Sequence, residues 1–342
     1  MKIALITPHY YPAVRGNAVT VRRIGKYLVL RGCEVRTYSL DTVSVQEIFS
    51  GIRGYGPDLI HAFHGYTGGR IARLAAQGTG IPYIITLTGT DVYEALDDSR
   101  KMDVHAALRD AVALVAFHKS VKKRLAEHFP TMAAKTTIIP QGVELPGEDC
   151  SGLGGFPFPA GKFTFLLPAG LRPIKNVLFP LAPLAELYAR EPSLRFILAG
   201  PLLDARYAAE VMERLERYPF AHYLGGIGHD AIGCLFRKAD AVLNTSLFEG
   251  GMANSVLEAL AFGKPVLAND IEGNRSLVKD GVTGLLYRSE DDFREKAWRL
   301  LADGKLREKL GERGRRFVLK NFPPEREAEA YVRLYEAVRS EE

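Results

Sequence analysis

The most constraining stretch of this sequence runs from Ala241 to Asn269. It opens with a short apolar strand, Ala241-Val242-Leu243, which breaks into Asn244-Thr245-Ser246. The loop Glu249-Gly250-Gly251-Met252 then leads into a helix whose predicted N-cap is Asn254 or Ser255. Gly263 and Pro265 stop that helix, and Val266-Leu267-Ala268 predicts the next strand. A strand, a glycine loop and a helix in this order gather backbone N–H groups and the positive end of a helix dipole at one point, where an anion can sit. Two carboxylates flank that point: Glu249 in the loop and Glu258 one turn into the helix. An anion site bordered by carboxylates suits a ligand with phosphates and hydroxyls together, as in a sugar nucleotide. The letters alone fit equally a surface loop followed by an exposed helical glutamate.

The same strand–loop–helix rhythm recurs along the chain. Residues 2–7 form an apolar strand ending at Pro8-His9-Tyr10-Tyr11-Pro12. A loop containing Gly16-Asn17 follows, then a helix from about Val19 to Arg31 and a strand at Glu34–Tyr38. That is a βαβ unit without the G-x-G-x-x-G dinucleotide fingerprint. Further strands are predicted at 57–65, 81–87, 112–117 and 137–143. In an open parallel sheet, ligands bind beyond the carboxyl ends of the strands. His64, Thr88, Asp91 and His118 all lie at such ends and are candidates by position, although a lone polar residue there is more often structural. Residues 145–162 are rich in Gly and Pro and read as a linker. A second α/β series then runs through strands beginning near Phe163, Arg195, His222, Ala241 and Val266, before a helical C-terminus broken at Phe322-Pro323-Pro324.

At 342 residues the chain is long enough for two domains. Its 47% hydrophobic and 25% charged content is that of a soluble globular protein, with no apolar run long enough to span a membrane. The first apolar stretch is too short for a signal peptide. Cys33, Cys150 and Cys234 are odd in number and far apart, which predicts neither a disulfide framework nor a metal cluster and points to a reducing cytoplasm. The net charge of +5 is concentrated before residue 147, where 18 Lys and Arg face 12 Asp and Glu. That excess is too small and dispersed for nucleic acid. Lys119, Lys122, Lys123 and Arg124 cluster on one predicted helix, where they suit either a solvated face or a weak peripheral contact with an anionic membrane.

Three motifs carry a family resemblance: Glu249…Glu258 followed by Gly263-Lys264-Pro265-Val266, Gly170-Leu171-Arg172-Pro173-Ile174-Lys175, and Ile139-Pro140-Gln141-Gly142-Val143. Together they resemble the retaining glycosyltransferases of family 4 (group 1), and the Gly-Leu-Arg-Pro-x-Lys form is similar to the glycosyltransferase 1 domain-containing proteins. The resemblance implies an α/β fold of GT-B type, with two Rossmann-like parallel-sheet domains facing a central cleft. It places an acceptor-side domain at 1–146 with a crossover helix at about 325–342, and a donor domain at 147–324. It also implies that Arg172 and Lys175 neutralise a donor diphosphate, a task suited to a forked guanidinium and a compact ammonium. Gly16 and Asn17 then approach the phosphates, which the backbone of Gly250, Gly251, Met252 and Ala253 also holds. Glu258 accepts from ribose hydroxyls and Glu249 from the sugar.

The sequence departs from the family pattern in four places. The two glutamates enclose eight residues rather than seven, and Arg172 and Lys175 are three apart rather than five. Asn17 stands where a second glycine is usual, and Thr88 where many members carry a histidine that contacts the donor sugar. A hydroxyl does not titrate near neutral pH, so either His64, His118 or Asp91 compensates, or turnover is low. The implied activity is a metal-independent, hexosyltransferase-like transfer from a nucleotide-diphosphate sugar, UDP being the commonest base, to an unidentified hydroxyl acceptor. No cofactor is expected. A degenerate nucleotide-sugar-binding protein without turnover, and a GT-B sugar-nucleotide epimerase, are the competing readings.

Overall fold

Twelve strands of apolar sequence pair into two separate parallel sheets in a computed structural model that describes residues 1–11, 16–93, 96–150 and 161–340. The predicted linker therefore lies partly, at 151–160, outside the described residues, as does Pro12. Contacts divide the chain into two units. One comprises Met1–Gly142, Gly250–Met252 and Phe322–Glu342; the other comprises Val143–Glu249 and Ala253–Asn321.

In the first unit the strands are β1 (Lys2–Thr7), β2 (Glu34–Ser39), β3 (Leu59–Phe63), β4 (Tyr83–Leu87), β5 (Ala113–Ala116) and β6 (Thr136–Ile138), ordered β2-β1-β3-β4-β5-β6. Because strand side chains alternate between faces, β1 feeds two cores at once. Ala4 and Ile6 join one cluster with Ile60, Ile85 and Leu114, while Ile3 and Leu5 join the other with Leu59, Phe63 and Val115. Both faces are covered, which is why the strands read as continuous apolar runs. The helix Gly16–Leu30 starts earlier than predicted, so Gly16 and Asn17 form its first turn and not a loop before it.

The second cluster includes Tyr331, Tyr335 and Val338 from the terminal helix Pro324–Ser340, which therefore belongs to the core of the first unit. Arg23 forks onto the Glu327 carboxylate at 2.8 and 3.1 Å, with both side chains almost wholly buried. The His61 ring bonds Tyr335 Oη and Thr86 Oγ1 at 2.7 Å each, and Thr86 Oγ1 also meets Tyr331 Oη at 3.0 Å. A Cβ on Gly142 would lie 2.5 Å from the Cα of Pro324. Only glycine lets the end of the Ile139–Val143 motif pass this close to the start of the terminal helix.

The second unit holds β7 (Phe163–Pro168), β8 (Leu194–Ala199), β9 (Ala221–Tyr223), β10 (Ala241–Asn244), β11 (Val266–Asn269) and β12 (Leu285–Tyr287), ordered β12-β11-β10-β7-β8-β9. The chain winds outward from β7 in one direction and restarts at β10 in the other. The β7–β10 pair is thus the point at which a doubly wound sheet opens a crevice beyond its carboxyl ends. Cys150 and Cys234 form a disulfide in this unit, while Cys33 is buried and free. This corrects the expectation of unpaired cysteines. Separation in sequence says nothing about separation in space, and chain folding brings two residues 84 positions apart into contact. The sequence argument for a reducing compartment loses that premise. Among the described residues, no helix is long and apolar enough to cross a membrane.

Burial pushes the His61 imidazole down to about 3, so the folded ring stays neutral while the unfolded one titrates near its usual value. The folded value is the lower one, so this stability is complete above about pH 6.5 and declines as pH falls toward 3, by roughly 1.4 kcal/mol per unit. Urea denaturation at pH 7, 6, 5 and 4 should show that slope. A His61→Gln variant should flatten it.

Candidate functional site

In the second unit the site grows from the loops that follow β7 and β10. Pro173 opens a single 3₁₀ turn, Pro173–Lys175, closed by the Lys175 amide donating to Arg172 O at 3.0 Å. Three residues per turn is the 3₁₀ period, so the short Arg–Lys spacing fits this turn. Asn176 ends it in a left-handed conformation that Asn tolerates. Two bonds stitch this loop to the one after β10: Thr245 Oγ1 donates to Lys175 O at 2.8 Å, and Leu247 N to Ile174 O at 2.9 Å.

Glu249 stands where those loops meet, with 11% of its side chain exposed. Its Oε1 accepts from Lys175 Nζ at 2.6 Å, Ser246 Oγ at 2.6 Å and Asn244 Nδ2 at 3.2 Å. Burial alone would raise this carboxyl, but the Lys175 ammonium and the three donors outweigh it and hold the group below its usual range. A further row of amides fixes the donors. Asn274 Nδ2 donates to Asn244 Oδ1 and Asn269 O, and Asn269 Nδ2 donates to Ser246 O. Two buried polar atoms here have no partner among the described residues, Arg172 Nε and Asn274 Oδ1. Buried polar atoms are almost always satisfied, so these two mark places for a ligand atom or water.

The helix Asn254–Ala261 begins one or two residues earlier than predicted, with Ala253 at the N-cap and no side chain capping it. Gly251 takes a φ of 153°, which favours glycine, and Met252 and Ala253 are buried. Glu258 is buried, and its Oε1 lies 2.9 Å from His229 Nε2. Sequence reasoning missed His229, Asn269 and Asn274. His229 lies six residues beyond the end of β9, so the strand-end position that selected His64 and His118 does not pick it out.

In the first unit, Asp91 is fully buried and, among the described residues, binds backbone only. It accepts from Gly65 N at 2.8 Å, Gly89 N at 2.7 Å and Thr88 N at 3.1 Å. This carboxylate, one of the catalytic candidates, ties the loop after β3 to the loop after β4 and so sets the position of Thr88. His64 adopts a left-handed backbone, φ 72°, which is unusual for a non-glycine residue. Its Nδ1 accepts from Tyr66 N and Thr67 N, which assigns the ring proton to Nε2, 3.0 Å from Thr90 Oγ1. His118 caps the helix Lys119–His128, with Nδ1 accepting from Ser120 N. Asn17 Oδ1 is buried without a partner among the described residues. In the cationic cluster on that helix, Lys122 bonds Thr136 O, and Arg124 pairs with Asp97 and Glu127. Among the described residues, no group of three or more His, Cys, Asp or Glu side chains could hold a metal ion.

Two family models match the chain. "Glycosyl transferases group 1" covers residues 155–317 and "Glycosyl transferase 4-like domain" covers residues 2–142. Glycosyltransferase 1 domain-containing protein 1 of Xenopus tropicalis is 28% identical over 329 residues, or 93% of either chain. Among solved structures, a sucrose-phosphate synthase from Thermosynechococcus elongatus shares the fold with a TM-score of 0.82 at 20% identity, covering 100% of both chains. HepE of Anabaena, solved with UDP and glucose, shares it with a TM-score of 0.80 at 18% identity, covering 98% of this chain and 100% of its own.

Lys175 and Arg172 should separate in a stability measurement. Lys175→Met removes the cation beside a buried carboxylate, and breaking such a pair costs about 3–5 kcal/mol. Arg172→Ala deletes a group whose buried nitrogen has no protein partner, so its cost should stay below about 1 kcal/mol. Denaturant titration of both variants reads the difference directly.

Proposed function

Because the chain belongs to the group 1 glycosyltransferases of GT-B architecture, we propose that it moves a sugar from a nucleoside diphosphate sugar to a hydroxyl acceptor, with retention and without a metal. The observation that carries this reading is the crevice between β7 and β10. The loop after β7 carries an arginine whose Nε has no partner among the described residues and a lysine bonded to Glu249 in the loop after β10, and that second loop leads into a helix start without a side-chain cap. Arg172 forks onto the diphosphate. Lys175 has three N–H donors, of which Glu249 takes one and the phosphate the others. Glu249, kept ionised, accepts from hydroxyls of the sugar, and Glu258 accepts from the ribose. Fixed donors aimed at a leaving diphosphate act in a site that needs little reorganisation, and each is worth on the order of 3 kcal/mol. The acceptor hydroxyl attacks from the leaving-group side and passes its proton to the phosphate, so no acid–base carboxylate pair is needed. His64, with its proton on Nε2, and His118 remain the titratable candidates for contacts to the reacting sugar or acceptor.

UDP is the first base to test, since HepE, which has the same fold, was solved with it. One observation favours a binding protein without turnover instead: Thr88 replaces a titratable group, and the nearby Asp91 is fully occupied by backbone amides. Donor hydrolysis without acceptor separates the two, because a binding protein would release no free sugar.

Calorimetric titration with UDP, GDP and ADP should find one tight binder, with Arg172→Ala weakening it tenfold or more, as charge-assisted bonds of roughly 1.5–3 kcal/mol require. Equal affinity in wild type and Arg172→Ala would remove the donor site from this crevice.

A further inference from the structure

His229 lies outside every sequence motif identified above, yet among the described residues it makes the one side-chain hydrogen bond to the Glu258 carboxylate, Nε2 to Oε1 at 2.9 Å. A carboxylate only accepts, so the proton of this bond sits on the imidazole. The bond occupies Oε1 and leaves Oε2 for a ligand hydroxyl. Four-fifths of the His229 side chain is buried, so the ring is held by its surroundings and not by solvent.

What holds it is the chain that leaves Gly142. The segment after Val143 lies along the turn at 228–231. Gly147 N donates to His229 O at 3.1 Å, Asp149 N to Asp230 O at 2.9 Å, and Gly233 N to Gly147 O at 3.0 Å. The backbones touch so closely that a Cβ on Gly147 would lie 2.6 Å from Asp230 O, and one on Gly233 would lie 2.5 Å from Gly147 O. Arg237 reaches back to Glu148 at 2.7 Å. The Cys150–Cys234 disulfide closes the far end of this zipper, with Cα atoms 5.9 Å apart.

We infer that His229 is the positioning residue for Glu258, and that the disulfide-closed zipper of residues 147–150 against 229–234 fixes His229 for that task. The assignment rests on the proposed role of Glu258 as the ribose-binding carboxylate. With His229 in place, the carboxylate is oriented before nucleotide arrives, and binding avoids the cost of ordering it. Reduction of the bridge by a dithiol breaks the S–S bond. Two electrons and two protons pass to the cysteines as the reductant closes its own disulfide. The zipper then keeps only its hydrogen bonds and the exposed Arg237–Glu148 pair, and nucleoside affinity falls. The tie between linker and nucleoside carboxylate is therefore redox-sensitive.

The test is calorimetry on the full chain with two probes, UDP and inorganic pyrophosphate, which lacks the ribose. His229→Ala should weaken UDP about tenfold and leave pyrophosphate unchanged, whereas His229→Gln, which keeps an N–H donor, should stay within about threefold of wild type. In a Glu258→Ala background, His229→Ala should have no further effect. Dithiothreitol treatment, and separately Cys150→Ser with Cys234→Ser, should each weaken UDP several-fold, with circular dichroism unchanged and the double variant insensitive to reductant. Equal losses for UDP and pyrophosphate, or no loss for either, overturn the positioning role. UDP affinity that follows His229 but ignores the bridge overturns the redox tie. If UDP, GDP and ADP all fail to bind wild type, the nucleotide reading falls and takes this inference with it. If they bind and depend on Glu258 but not on His229, the inference alone falls.

Discussion

One buried ion pair decides which parts of this chain belong together. Arg23 and Glu327 are 5% and 1% exposed, and each charge is tolerable in the interior only because the other is there. Leaving either without its partner would cost about 3–5 kcal/mol, so the helix bearing Glu327 has one place to dock. Thr20 and Gln141 extend the pair into a small polar network, with Gln141 Oε1 accepting from Thr20 Oγ1 at 2.9 Å. The His61–Thr86–Tyr331–Tyr335 bonds repeat the device deeper along the same helix. Apolar packing alone would hold a helix on a sheet with little demand for register. Polar atoms that must each find a specific partner fix the register as well.

The two units use a carboxylate at corresponding places, beyond the carboxyl ends of strands, for opposite purposes. Among the described residues, Asp91 accepts only from backbone amides of two loops, which ties those loops together at the end of the sheet. Glu249 accepts from side chains: one cation, one hydroxyl and one amide, of which Ser246 and Asn244 are themselves held by Asn269 and Asn274. The first is a fastener, while the second is a tuned group whose charge state is maintained against burial. The chemistry should therefore follow Glu249, and loop geometry should follow Asp91.

Most of the architecture was readable before any coordinates. Strands buried on both faces must be apolar throughout, and runs such as Lys2–Thr7 and Val266–Asn269 announce themselves in that way. Arg172, Lys175, Glu249 and Glu258 were singled out because their residue types and spacing carry chemistry. What escaped were features defined by distant partners. Nothing local distinguishes Cys150 from a free thiol, or His229 from a surface histidine, because the residues that give them meaning lie 84 and 29 positions away. Asp91 was a candidate by its place at a strand end, but its backbone partners in two loops were not legible there. The helix starting at Asn254 slipped by a residue or two, because no side chain caps it.

The return of the last helix has a consequence for how the chain is made. Arg23 leaves the ribosome early, and its partner follows 304 residues later. Domains generally complete themselves in order of synthesis, but here the first sheet cannot finish until the final helix has emerged. Through most of translation the face built on Ile3, Leu5 and Phe63 lacks Tyr331 and Tyr335, and Arg23 lacks its counter-ion. The second unit, whose span ends at Asn321, can consolidate in that interval. Its folding shortens the effective loop that the last helix must close, which lowers the entropic cost of docking. The half synthesised first is thus the half completed last, and it is the half most dependent on protection while it waits.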